Sequence, residues 1–513
     1  MHTETKTKGL AGVRQSTFIR KLNAFVLSPW MLGLLAALTV LTFIFSLELY
    51  YYTFVLFYGI YVTIFADDLL PLVPVFILCY VAPSMSNNPG TTADSVFYGS
   101  KGGIYILVLA AIAVAFIFAR IATDKNMGFK RLFCEKRSLL WGMLALGAVY
   151  LLSGIGSKDY NKFILQNLVM STIQFASVFL LYFLFTATVN WEKAPKDYFA
   201  WVGMFVGYTV FAELMYGCVV QGVFESGLIR KILINFGWGM QNNIGAMLAF
   251  TVPFPLYLAC KSKRPGIFLI LAAVLAASVF LTGSRTSMLG VILSFGVPFV
   301  IAFVKCENKR GFRITSMVFF VLCAAMLVVF WDKVMNMFST VPSIFNPDSE
   351  TGYNDSGRFK IYKNGIEIFK QNPILGGSFF STDSKPYDHA TVQAFSDFFP
   401  PRWHNTTVQI LACCGTLGMI AYLWHRIDTV ILFVKRANLM KTFIGIFVLT
   451  LVMMSWLDCH FFNVGPTMFY SIALAFAEKC QGPEKQPKIE EKEDDDSGVL
   501  VVVAVPKDRQ DKQ

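Results

Sequence analysis

Metal-ligand spacing is missing from this sequence. None of its ten cysteines forms a C-x-x-C pair and no H-E-x-x-H occurs, so no metal site is expected, and no cofactor is called for. Cys79, Cys218, Cys323, Cys413 and Cys414 fall in apolar runs, and the long polar stretch 332–403 has no cysteine, which argues against a disulfide framework. Charge is nearly absent from the interiors of the apolar runs, with Glu213 the main exception. No small-residue cleavage site follows the basic N-terminus, so the first apolar run is expected to be a retained span. No repeat of fixed period stands out.

Apolar residues dominate what is there. The chain has 513 residues, is 55% hydrophobic, and has a mean hydropathy of +0.55. A water-soluble fold cannot bury that much apolar surface, so an all-α polytopic transmembrane bundle of about 12–14 spans is expected. The formal charge of +11 would suggest nucleic acid in a soluble protein. Here the basic residues sit in short loops and no basic groove motif occurs, so nucleic acid is not a partner.

The basic loops orient the bundle. Lys6, Lys8, Arg14, Arg20 and Lys21 precede the first run, Trp30 to Leu47, and Lys125, Lys130, Arg131, Lys136 and Arg137 mark a later turn. Both place their loops in the cytoplasm. Asp67-Asp68, between two further runs, has no basic residue beside it. Both termini are expected in the cytoplasm of a multi-pass cell-membrane protein. The expected organisation is a cytoplasmic segment 1–28, N-terminal spans 29–262, a central region 263–425 with an outer loop 332–403, C-terminal spans 426–477, and a charged tail 478–513 without order. Val499 to Val505 has strand-forming residues, but nothing nearby is expected to pair with them.

The candidate site is on the outer side. Arg285 stands in Thr282-Gly283-Ser284-Arg285-Thr286-Ser287 between two runs so close that the turn must be tight. A snorkelling arginine on lipid headgroups is the plain alternative, but the small polar neighbours would let a headgroup approach the backbone. Asp355-Ser356 can cap a surface helix carrying Arg358, with Phe359, Tyr362, Ile366 and Phe369 on one face and Pro373 as its stop. A helix N-terminus favours anions; an ordinary loop salt bridge is the competing explanation for Arg358. His404 stands where the loop re-enters the membrane, beside Asn405. A neutral imidazole there can take a proton from a sugar hydroxyl, or be an interfacial histidine without chemistry. His389 reads as solvated, and His460, beside Asp458, is a second candidate. Asn242 and Asn243, with Arg230 nearby, can hydrogen-bond a sugar or pyrophosphate; helix capping explains them equally well.

Taken in order, these segments resemble the O-antigen ligase and polymerase superfamily of bacterial membrane glycosyltransferases. The matching pieces are Leu281-Thr282-Gly283-Ser284-Arg285, Ser356-Gly357-Arg358-Phe359, Asn372-Pro373-Ile374-Leu375-Gly376, His404-Asn405-Thr406-Thr407-Val408-Gln409 and Gly415-Thr416-Leu417-Gly418, with Gln241-Asn242-Asn243-Ile244-Gly245 upstream. The resemblance covers about 260–425 and implies transfer of a glycan from an undecaprenyl-diphosphate carrier to an acceptor sugar without metal. It makes His404, Arg285 and Arg358 the candidate catalytic residues. Arg285, Arg358, Asn242, Asn243, Arg230 and Asn405 become candidates for substrate binding. The implied partners are the lipid-linked glycan, an acceptor glycan, the bilayer and other polysaccharide-assembly proteins. A flippase or exporter of polyprenyl-linked glycans is the alternative, and it calls for polar residues along the middle of several spans.

Overall fold

The computed structural model describes residue 14 and residues 16–45, 47–78, 101–123, 139–220, 222, 241–329, 331, 355–379, 403–435, 437–479, 489–493 and 500–504. The chain is an all-α bundle. Among the described residues, six helices are each long and apolar enough to cross a membrane, and a bent pair, Thr17–Val26 and Pro29–Phe45, makes a seventh. Shorter apolar helices, Val108–Thr123, Leu140–Leu152, Pro265–Leu281 and Leu439–Ser455, complete the packing. Helices dominate because lipid offers no partner for backbone N–H and C=O groups, so each segment must satisfy its own.

The Asn242–Lys261 helix is the centre of the bundle, with 100% of its apolar window buried. Around it pack Tyr198–Val220, Pro265–Leu281, Arg285–Lys305 and Leu439–Ser455. Phe199, Phe254, Phe447 and Phe469 interlock beside it, with ring centroids of Phe447 and Phe469 4.8 Å apart. The outer helices turn apolar side chains away from the protein, as Ile292, Val300, Met317 and Val321 show. In a membrane protein this is the lipid-facing surface.

The two ends of the bundle differ. At one end Arg120 closes the turn at Asp67-Asp68. Its guanidinium donates to the carbonyls of Thr63 at 2.9 Å, in the last turn of the Glu48–Phe65 helix, of its C-cap Ala66 at 3.2 Å, and of Asp67 just beyond at 3.2 Å. Asp68 accepts from Leu70 N and Asn190 N. The turn that carries no base of its own thus borrows one from the Lys101–Thr123 helix. Arg14 and Asn23 donate to the carbonyls of Ile64 and Phe65, which places the N-terminal helix at this same end.

Three expectations change. The boundary drawn at 425 falls inside one helix, Thr406–Val434. Apolar residues resume beyond Arg426 in Ile427, Val430 and Ile431, and the helix follows them through its two charges. On the surface helix Asp355–Gln371 the buried stripe is Ile361, Gly365 and Ile368, one position away from the expected Tyr362, Ile366 and Phe369, which are half-buried. In the tail, Leu500–Ala504 pairs antiparallel with Ile489–Glu493, a partner the expectation did not supply. The valine-rich segment has strong strand propensity and takes its ladder from the charged run.

Candidate active site

At the opposite end from Arg120, several helix N-termini converge. The Pro265–Leu281 helix ends at Thr282, and Gly283 turns the chain with φ +66°. Ser284 then caps the Arg285–Lys305 helix, its hydroxyl accepting from Ser287 N at 3.3 Å. Arg285 is therefore the first helical residue, and its side chain is exposed. Ser287 donates to Asn242 O at 3.4 Å, which ties this helix start to that of Gln241–Thr251. The approach requires Gly245: a Cβ there would lie 2.6 Å from Ser287 Oγ and 2.8 Å from Thr282 Oγ1. Asn243 is buried and accepts from Asn463 Nδ2 at 2.8 Å, which brings in the start of the Val464–Lys479 helix. Parallel N-termini add their partial positive charges, so this rim attracts anions before any side chain is counted.

His404 joins the same rim through the loop Trp456–Asn463. Its Nδ1 is 3.2 Å from Asp458 Oδ1, with the imidazole 35% exposed and the carboxylate 5% exposed. Asp458 Oδ1 also accepts from Cys459 N at 2.7 Å. A carboxylate acceptor places the ring proton on Nδ1 and leaves Nε2 as the basic nitrogen. His404 has φ +48°, a left-handed conformation unusual outside glycine. The surroundings hold it there. Trp403 is buried, and its N–H donates to Gln409 Oε1 at 3.2 Å. Tyr362 donates to His404 O at 3.3 Å. Asn405 caps the Thr406–Val434 helix by accepting from Thr407 N at 2.9 Å and Val408 N at 3.1 Å, and its Nδ2 donates to Trp456 O at 2.9 Å.

The structure thus brings Arg285, Asn242, Asn243, His404 and Asn405 to one end, joined by hydrogen bonds or helix starts. Arg358 stands on the surface helix one turn before Tyr362, about 6 Å along the axis at 1.5 Å per residue. Its side chain lies outside the described set. Arg230 and His389 lie outside the described residues. His460 is in the core under the Phe250 ring, with centroids 5.8 Å apart, and not at the rim. Two functional candidates escaped the sequence: Asp458 as the histidine's partner and Asn463 as the asparagine's. Their signal was a polar Asp-Cys-His-Phe-Phe-Asn segment interrupting apolar runs.

Residues 269–423 match the family model described as O-antigen ligase. This stretch is an O-antigen ligase domain. Together with the spans, the match supports a membrane glycosyltransferase of O-antigen ligase type. No curated protein matches the chain. The O-antigen ligase domain contains Arg285, Arg358 and His404, whereas Asp458 and Asn463 follow it and Asn242 and Asn243 precede it.

Two of the domain's motifs are structural. The helix Thr406–Val434 breaks at Gly415, where φ is +65° and ψ −156°. The turn Asn372–Gly377 fills the break. Gly377 N donates to Ala412 O at 2.7 Å, and Thr416 N and Leu417 N donate to Pro373 O and Ile374 O at 2.8 and 3.2 Å. Gly154 N donates to Leu375 O at 2.8 Å and Ser153 Oγ to Cys413 O at 2.7 Å. The orphaned carbonyls of a broken helix are thereby satisfied by a clasp of three chain segments. The clasp fixes the start of the Thr406–Val434 helix, where His404 stands.

Proposed function

We propose that this protein transfers a glycan from an undecaprenyl-diphosphate carrier to a sugar hydroxyl at the extracytoplasmic face. The observation that carries the reading is the His404–Asp458 pair on a rim of helix N-termini that also presents Arg285. In this reading the acceptor hydroxyl gives its proton to His404 Nε2 as its oxygen attacks the anomeric carbon. The bond from that carbon to the diphosphate oxygen breaks, and the charge it leaves falls on the guanidiniums of Arg285 and Arg358. Asp458 steadies the imidazolium that forms. Attack opposite the leaving group inverts the anomeric centre. Asn242, Asn243 and Arg230 contact the glycan or diphosphate. Asn405, its oxygen spent on the cap and one amide hydrogen on Trp456 O, has its second amide hydrogen to offer the substrate. No metal takes part in this scheme.

The acceptor distinguishes a polymerase, which extends another lipid-linked chain, from a ligase. The polymerase reading is preferred, because nothing in the sequence points to an outer-membrane glycolipid acceptor. Cytoplasmic termini and other polysaccharide-assembly proteins as neighbours complete the proposal.

The test is transfer by the purified protein in lipid vesicles, supplied with a polyprenyl-diphosphate-linked glycan in EDTA. Longer glycan should appear with the wild type and be lost, by ~10²-fold or more, in Arg285→Ala, Arg358→Ala and His404→Ala. Movement of the intact lipid-linked unit across the vesicle bilayer with no new glycosidic bond would support an exporter instead.

A further inference from the structure

We propose that Arg426 is a positioning residue: it holds the Asp458–Asn463 loop by its Phe461 ring, and so sets Asp458 against His404. This rests on the assignment of His404 and Asp458 made above.

Arg426 is a cation inside a membrane-spanning helix, where charge is costly and needs a reason. Its guanidinium carbon lies 3.9 Å from the Phe461 ring centroid, 4.6 Å from Tyr422 and 5.5 Å from Tyr470. Nη1 donates to Tyr470 OH at 3.1 Å. Nε and Nη2 are out of contact with solvent and find no hydrogen-bond partner among the described residues. The charge is therefore stabilised chiefly by the faces of three rings. Tyr470 is itself fixed by His425 Nε2 at 2.7 Å. Side chains on a helix lean toward its N-terminus, and here that is the His404 end.

Phe461 is the one ring of this cage that belongs to the loop at the rim. Three residues before it, Asp458 meets His404. Two residues after it, Asn463 meets Asn243. The segment between has little slack. His460–Phe462 is a 3-10 turn with Phe462 N on Cys459 O at 2.9 Å, Phe461 O accepts from Thr467 Oγ1 at 2.9 Å, and Phe462 O accepts from Gln174 Nε2 at 3.0 Å. A shift of Phe461 must therefore be passed to Asp458. Small displacements of a catalytic constellation are costly in rate.

The experiment compares Arg426→Met, Arg426→Lys, Phe461→Leu, Asp458→Asn and the double variant Arg426→Met/Asp458→Asn in vesicles. Transfer is measured on a polyprenyl-diphosphate-linked glycan and normalised to folded protein by size-exclusion profile and melting temperature. Arg426→Met and Phe461→Leu should each lower kcat by about tenfold or more with donor KM unchanged within about twofold. Arg426→Lys, which keeps a cation over the rings, should recover most of the loss. The double variant should be no slower than Asp458→Asn alone, because both changes act through one carboxylate. Losses that multiply in the double variant would show a role in fold stability only and overturn the proposal. So would wild-type kcat in Arg426→Met. Should Arg426→Met fail to fold, Phe461→Leu and Arg426→Lys decide by the same criteria. If His404→Ala and Asp458→Asn themselves keep wild-type transfer, the base assignment fails, and this proposal falls with it.

Discussion

At the scale of the residue, the account turns on Asp458. Arg285 and His404 were legible in the sequence because each is a polar residue at the end of an apolar run, where only a few positions compete. Asp458 was not, since its partner is 54 residues away and nothing local announces the pairing. Its carboxylate can only accept, so the contact with Nδ1 favours the tautomer that leaves Nε2 as the base. In Asp458→Asn the amide can turn an N–H toward Nδ1, which would move the ring proton to Nε2 and remove the base. Transfer is expected to fall by at least about 10²-fold, with donor affinity retained, as measured by initial rates and by lipid-linked glycan binding to the same preparation. Unchanged rates would mean that the 3.2 Å contact has no part in the chemistry.

At the scale of the element, the break in the Thr406–Val434 helix matters most. Gly415-Thr416-Leu417-Gly418 and Asn372-Pro373-Ile374-Leu375-Gly376 stood out in the sequence only as pieces of the family resemblance, with no role of their own. Only the fold shows that they meet, with Ser153-Gly154 from outside the matched domain as the third party. At Gly415, φ is +65° and a Cβ would stand 2.5 Å from Ile374 O. Gly415→Ala is therefore expected to destabilise the protein by at least about 1–3 kcal/mol, seen as a lower melting temperature in detergent. Transfer activity should fall with it, because His404 hangs on the start of this helix. The surface helix teaches a similar lesson. Its presence and its stop were readable from the apolar spacing and Pro373, while it begins at Asp355, inside the expected Asp355-Ser356 cap, and the face it buries was misplaced by one residue. Gly365 packs against Trp403 and Val408, and an apolar-periodicity reading gives glycine no weight.

At the scale of the whole molecule, composition and charge pattern were sufficient for the class. An apolar chain with basic short loops becomes a helical bundle because lipid leaves the backbone no other choice. The interior order of the bundle was not legible, since the central Asn242–Lys261 helix is no more apolar than its neighbours; its burial comes from what packs around it. The Arg120 cap likewise joins segments that the sequence keeps more than fifty residues apart. Arg120→Leu should leave those carbonyls without their donor and lower the melting temperature in detergent, with a cost of roughly 1–3 kcal/mol for each buried carbonyl left unsatisfied. Orientation has its own test. If the Arg120 end faces the cytoplasm, a cysteine at Lys263, in the turn that Asn308 closes by donating to Lys263 O at 2.9 Å, should react with a membrane-impermeant maleimide only after the cells are permeabilised, in a background where the ten native cysteines are replaced. Reaction in intact cells would invert the bundle and move the proposed site to the wrong face.

The most direct measurement is a structure of the protein in lipid bound to a polyprenyl-diphosphate sugar whose bridging oxygen is replaced by methylene. The account predicts the diphosphate within hydrogen-bonding distance of Arg285 and Arg358 over the helix starts at Asn242 and Ser284, with His404 Nε2 facing the anomeric carbon and Nδ1 still on Asp458. A diphosphate seated elsewhere, with His404 turned away from the sugar, would contradict it.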